Sequence, residues 1–192
     1  MAIEYEAMFG NIDRILMRQR LTEVGARLVR PEFLQRRYNL TLPGKETIEF
    51  EWLRLRDEGD KITLSLKADK AGGAITDQHE LCVTISDLEI GRQMLEALGC
   101  QVKAYQETKR ELWTLDGVEV TIDEWPFLEP LLEIEAKDEA NVRAMAEKLG
   151  FDWSSALFSS VTALYVSKYG IDWQVISNST PRIVFDMENP FE

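Results

Sequence analysis

The chain has 192 residues, with 22 Lys plus Arg against 34 Asp plus Glu and a formal net charge of −12. That length buries a core without covalent staples, and that charge excludes coating nucleic acid or an anionic membrane, both of which need a basic footprint. With 45% hydrophobic and 29% charged residues the chain is too apolar for disorder. No run approaches the ~18 consecutive apolar residues of a membrane span. One His and two Cys in no CxxC pattern leave disulfide frameworks, conventional zinc sites and His-based relays poorly supplied. Cys82 and Cys100 read as small buried apolar residues. The start, MAIEYEAMF, lacks a signal peptide's basic end and apolar run, so a cytoplasmic location is expected.

Residues 3–9 alternate with period two and set Glu4 and Glu6 on one strand face. Residues 11–25 read as a helix, with Asn11 able to cap it and Gly25 to stop it. Arg36 and Arg37 stand on a strand over residues 35–38. Residues 52–56 place Arg54 and Arg56 on one face, and 62–67 end a polar face in Lys67; Glu58-Gly59-Asp60 is the tight turn between them. Past the punctuation at Gly72-Gly73, residues 86–99 form a second helix, Ser86 and Glu89 suggesting a capping box. Residues 108–113 carry Lys109 and Arg110 into a strand, which Asp116-Gly117 turns into a further strand at 118–123 ending in Asp123. Residues 132–136 repeat the acid alternation with Glu133 and Glu135. Helices are expected at 138–150 and, more weakly, at 155–169. Tight turns between neighbouring strands and few helices point to an antiparallel α+β fold. From residue 171 the chain loses periodicity, which leaves a tail that docks, mediates a contact or frays.

A single Glu-x-Glu or Arg-x-Arg pair is what any solvated sheet face shows. Here the signs are sorted by strand, acid on the first and last, base between, whereas a surface tuned for solubility mixes them. If the sheet closes with helices on its apolar outside, the charged faces line a tunnel. Arg54, Arg56 and Lys67 would then cradle phosphate. The glutamates would supply the hard oxygen ligands that Mg²⁺ or Mn²⁺ takes. The metal would join acidic wall to anionic ligand, so the net charge does not exclude a polyphosphate.

Taken together, Glu4-Tyr5-Glu6-Ala7-Met8, Arg54 with Arg56, Lys67, Thr108-Lys109-Arg110 and Asp123 followed by Glu133-Ile134-Glu135 resemble the CYTH domain. This is the triphosphate tunnel metalloenzyme superfamily of class IV adenylyl cyclases, thiamine triphosphatases and inorganic triphosphatases. The resemblance runs from residue 3 to about 170. It implies a closed eight-stranded antiparallel β-barrel with outer helices, a tunnel domain over 1–170 and a tail over 171–192. By the same resemblance Glu4, Glu6, Asp123, Glu133 and Glu135 would hold Mg²⁺ or Mn²⁺. Arg37, Arg54, Arg56, Lys67, Lys109 and Arg110 would grip the substrate, with Glu4, Glu6, Arg56 and Lys67 closest to the chemistry. The implied reaction is metal-dependent phosphoryl transfer on a small-molecule triphosphate or nucleotide. Hydrolysis is favoured; cyclisation of ATP, or binding without turnover, are the alternatives, and a homodimer is compatible.

Two departures stand out. Met8 replaces the family's first-strand lysine, and Thr108 replaces a common lysine, with Lys109 and Arg36 the candidates to compensate. Glu80 falls where the family often has an acidic strand, but its second acid is Cys82; the neighbouring His79 reads as loop-edge polarity. Trp113 and Trp153 read as core, and Trp125 equally as loop packing or a substrate contact.

Overall fold

The computed structural model describes residues 1–70 and 73–192; Gly72 lies outside the described residues. Its strands are β1 (Ala2–Ile3), β2 (Tyr5–Phe9), β3 (Arg27–Leu40), β4 (Glu51–Asp57), β5 (Ile62–Asp69), β6 (Gln78–Ile85), β7 (Val102–Leu115), β8 (Val118–Glu124), β9 (Leu131–Ala136) and β10 (Arg182–Ile183). The helices are α1 (Arg14–Glu23), α2 (Leu88–Ala97), α3 (Glu139–Lys148) and α4 (Thr162–Tyr169).

The sheet order is β1-β6-β5-β4-β3-β7-β8-β9-β2, and every neighbouring pair in it is antiparallel. Its two ends, β1 and β2, are separated in sequence by Glu4 alone. One continuous segment therefore joins both edges of the sheet, and the result is a nearly closed barrel. Before Glu4 the segment pairs with β6, Ala2 opposite Glu80 and Ile3 opposite His79. After Glu4 it pairs with β9, Glu6 opposite Glu135 and Met8 opposite Glu133. This change of partner makes nine barrel strands where eight are expected. The tenth, β10, lies outside that order and runs parallel to β7.

Alternation sorts the barrel's two faces. Ala7, Phe9, Val120 and Ile134 point outward into a core shared with Leu21 of α1 and Val142 and Ala146 of α3. Trp113 joins that core, and Trp153 packs against it, as their apolar surroundings predict. A second outer core holds Leu40, Leu55 and Cys100 beneath Leu88 and Leu95 of α2. A third cluster of Met8, Trp125, Leu131, Tyr165, Ile176 and Ile183 joins barrel, α4 and tail.

The helix starts differ in detail from expectation. Asp13 caps α1, accepting from the amides of Ile15 and Leu16, while Asn11 takes a left-handed φ of 57°. Asp87 rather than Ser86 caps α2, its carboxylate accepting from Ile90 N. Asp138 caps α3, which begins where the expected third helix does. The fourth helix begins only at Thr162, because Leu157 pairs with Met8 by two backbone hydrogen bonds of 3.0 Å and holds its surroundings extended. The tail packs onto the barrel: Ile176 and Ile183 are buried. Asn178 donates to Ile48 O at 2.9 Å and accepts from Ile48 N at 2.7 Å. Cys100 is buried but Cys82 is exposed, correcting the expectation for the latter.

Candidate active site

The charged strand faces enclose a cavity of about 840 Å³. Glu4, Glu6, Glu133 and Glu135 line its acidic side, and Arg37, Arg54, Arg56, Lys67 and Arg110 its basic side. Strand register sets the basic wall: Arg37 stands opposite Arg56 across β3–β4, and Arg54 and Arg56 stand opposite Ser65 and Thr63 across β4–β5.

Carboxylate oxygens from Glu4, Glu6 and Glu135 lie within 4.8 Å of one another. Burial first, then Glu133 and Glu4, raise Glu6 well above the ordinary carboxylate range. Glu135 is pushed to about 7 by burial, Glu4 and Glu119. Three acids crowded around the single ammonium group of Lys67 favour a divalent ion, which relieves the repulsion that otherwise retains protons. The three glutamates thus fit Mg²⁺ or Mn²⁺ by donor chemistry and proximity.

The other two predicted ligands stand differently. Arg110 donates to both Asp123 and Glu133. Asp123 is buried behind that guanidinium, with its pKa raised to about 6 by burial against the opposing pull of Arg110. Burial also opposes ionisation of Glu133, yet Arg110 and Lys67 hold it below the ordinary value. Two predicted ligands are therefore occupied in positioning a predicted phosphate ligand.

Most of the tunnel cations are paired. Arg54 donates to Glu80 at 3.1 Å, Arg56 meets Glu58 at 2.8 Å, and Lys67 reaches Glu4 at 2.5 Å and Glu80 at 3.6 Å. Lys67 and Arg54 hold Glu80 ionised well below its ordinary range despite burial. Burial and Arg54 lower Arg56 to about 10. Arg37 has no carboxylate partner among the described residues. It donates to Gln35 and Thr108 and sits 4.6 Å above the Trp125 ring. Burial, then Arg56 and Arg54, lower its pKa markedly. Thr108, where the resemblance leads a lysine to be expected, thus accepts from and fixes the Arg37 guanidinium.

Lys109 is a correction. It alternates with Arg110 and so faces outward, 3.5 Å from Glu124 and 4.4 Å from the Phe185 ring. Arg36 likewise faces outward, 3.8 Å from Glu107, so neither replaces a lost lumen cation. Met8 keeps the inward phase of Glu4 and Glu6 but is buried in the apolar cluster with Leu131 and Trp125. Trp125 both supports Arg37 and borders the cavity.

Sequence reasoning missed Glu58 and Glu80 as tunnel counter-ions. The alternation Gln78, Glu80, Cys82, all lining the cavity, is the signal for Glu80. It also missed the apolar part of the cavity lining, formed by Ile48, Phe50, Trp52 and, from the tail, Trp173 and Ile176. Buried polar atoms lacking protein partners include Arg37 Nε, Arg54 Nε, Thr63 Oγ1 and Trp125 Nε1, all on residues that line the cavity. Their concentration in the lumen marks a place built to meet water or a polar ligand.

A family profile described as the CYTH domain matches residues 3–162. Among solved structures, a conserved hypothetical protein from Pyrococcus furiosus is similar with a TM-score of 0.69 at 20% identity, covering 84% of this chain and 99% of that one. A protein provisionally assigned as an adenylate cyclase, from Vibrio parahaemolyticus, gives 0.73 at 13% identity over 85% and 97%. A protein from Hippeastrum, provisionally assigned as an adenylyl cyclase and showing a dominant triphosphatase activity, gives 0.60 at 15% identity over 87% and 96%. No curated protein matches the chain.

Proposed function

This chain belongs to the CYTH domain family, and we propose that it is a metal-dependent phosphoryl-transfer enzyme that hydrolyses a triphosphate-bearing substrate in its tunnel. The observation that carries this reading is the convergence, in one cavity, of three clustered carboxylates with four arginines and a lysine. Glu4, Glu6 and Glu135 would hold Mg²⁺ or Mn²⁺, which when bound neutralises phosphate charge and polarises phosphoryl oxygens.

The chain's own residues account for binding and positioning. Arg54 and Arg56 exchange Glu80 and Glu58 for phosphate oxygens, and Lys67 exchanges Glu4. Arg110, fixed by Asp123 and Glu133, presents a guanidinium already oriented. Arg37 needs no exchange, because no carboxylate among the described residues occupies it, and it would meet the end of the phosphate chain. A carboxylate of the acidic wall orients water toward the terminal phosphorus. A bond forms from water oxygen to phosphorus, the bridging P–O bond breaks toward the diphosphate, and a proton leaves the attacking water.

The apolar wall containing Phe50, Trp52 and Trp173 supports an organic group on the substrate and keeps a second reading in play. There, a ribose 3′-hydroxyl attacks the α-phosphorus and diphosphate leaves, as in a class IV adenylyl cyclase. Phosphorus NMR of ATP, inorganic triphosphate and thiamine triphosphate with Mg²⁺ or Mn²⁺ distinguishes these. Orthophosphate release supports hydrolysis, and cyclic AMP with diphosphate supports cyclisation. Tight binding with no turnover of any of the three sinks the catalytic proposal and leaves a binding module.

A further inference from the structure

The barrel is not sealed along β6. This strand pairs with β5 from Gln78 to Ile85, but with β1 only at His79 and Glu80. Leu81 to Thr84 are exposed, and the backbone of this stretch has no strand on its outer side among the described residues. An unpaired edge is a template for another strand, and proteins ordinarily protect such edges with charge, proline or a bulge. The run Leu81-Cys82-Val83-Thr84-Ile85 has neither charge nor proline, and its pairing with β5 is regular.

The neighbouring surface continues the same chemistry. Leu88 and Leu95 of α2 pack with Leu55, Leu64 and Ile85 over the outside of the sheet. Glu89 bonds Tyr38 of β3 and Arg92 lies over its ring, so this flank of α2 faces β3. The opposite flank carries Ile90 and Met94, 53% and 62% exposed, and Leu98 at the helix's C-cap continues it, 66% exposed; β6 lies on the other side of β4 from β3 in the sheet.

We propose that the β6 edge is a self-association surface, on which a second copy of this chain adds its own β6 antiparallel about a two-fold axis at Val83. Charge selects that occupant. In a chain of net charge −12 like charge opposes the association of copies, and the run Leu81 to Ile85 brings none to the contact. The pairing is also self-complementary: Val83 meets Val83, Leu81 meets Ile85 and Cys82 meets Thr84. An isologous interface requires such reciprocity, and main-chain hydrogen bonds together with flanking apolar contacts supply the affinity.

Analytical ultracentrifugation of the full chain over a hundredfold concentration range tests this. The wild-type chain is expected to be a dimer. Val83→Lys is expected to be a monomer with unchanged triphosphate binding, and its thermal melting is expected to lose the dependence on protein concentration that a dimer shows. In a Cys82→Ser background, Val83→Cys is expected to oxidise to a disulfide-linked dimer, since facing Cα atoms in an antiparallel pair lie about 4.5–5.5 Å apart, a separation that a disulfide spans. Leu28→Cys, an exposed position on β3, is expected not to cross-link in that background. A monomeric wild-type chain, a dimer that survives Val83→Lys, or a Val83→Cys cross-link no faster than Leu28→Cys would each overturn the proposal.

Discussion

Lys67 Nζ lies 2.5 Å from Glu4 Oε2, so the proposed phosphate lysine and a proposed metal ligand neutralise each other when the tunnel is empty. Loading the tunnel exchanges that bond for two others. Lys67→Met is therefore expected to strengthen Mn²⁺ binding or leave it intact, while weakening triphosphate binding by tens of fold, at about 1.5–3 kcal/mol per charge-assisted contact. Glu4→Gln is expected to weaken Mn²⁺ binding. Calorimetric titration of each variant with each ligand measures both.

Glu135, raised to about 7, must lose its proton to bind metal. Mn²⁺ affinity is therefore expected to fall by up to about tenfold per pH unit as pH drops below 7 and this carboxyl protonates. The metal-free chain behaves oppositely. Because folding raises this carboxyl's pKa above the unfolded value, its stabilising contribution is present at low pH and is lost as pH rises through about 7. Glu135→Gln is expected to flatten both profiles, read by Mn²⁺ titration and by thermal melting without metal.

Among the described residues Arg37 is buried without a carboxylate partner, so its charge costs the empty fold stability and is available to a ligand. Arg37→Met is expected to lower triphosphate affinity by tens of fold while the stability of the empty chain does not fall. Urea unfolding beside calorimetry gives the two numbers. A loss of stability equal to the loss of binding energy would show a structural role instead.

Met8→Lys restores the family residue but places an ammonium group among Leu131, Tyr165 and Ile176. It is expected to destabilise the chain by about 2–3 kcal/mol, as burial of a charge in an apolar cluster requires, and not to increase turnover. Chemical unfolding and steady-state kinetics check the two halves.

Trp173 reaches the cavity wall from a tail segment beyond the family match. Trp173→Ala is expected to weaken an organic triphosphate several-fold and to leave inorganic triphosphate unaffected. Competition binding with the two ligands measures this difference.

Much of the site was legible because period two is a local property. Arg54 with Arg56, and Glu133 with Glu135, declare one face whatever lies across from them. Which of Lys109 and Arg110 turns inward is not local; it follows from β7 pairing with β3 and β8. Glu80 was obscured because Cys82, its partner on the same face, breaks the sign pattern. The change of partner at Glu4 left no trace, since the inward phase continues through it to Glu6. The tail hid its docking because Ile176 and Ile183 are too widely spaced to make a periodic signal, and their burial depends on Met8 and Trp125.

The position of Glu4 has a consequence for the order of assembly. Its backbone N–H donates to Gln78 O at 2.9 Å, at the point where the first segment leaves β6 for β9, and its side chain belongs to the carboxylate cluster. In a nascent chain Glu4 and Glu6 emerge well before Glu135. Contacts so distant in sequence form late, because a long loop must close first. The basic wall of β3 to β5 is nearer to local, and an incomplete chain is expected to show affinity for polyanions before it has any for a divalent cation.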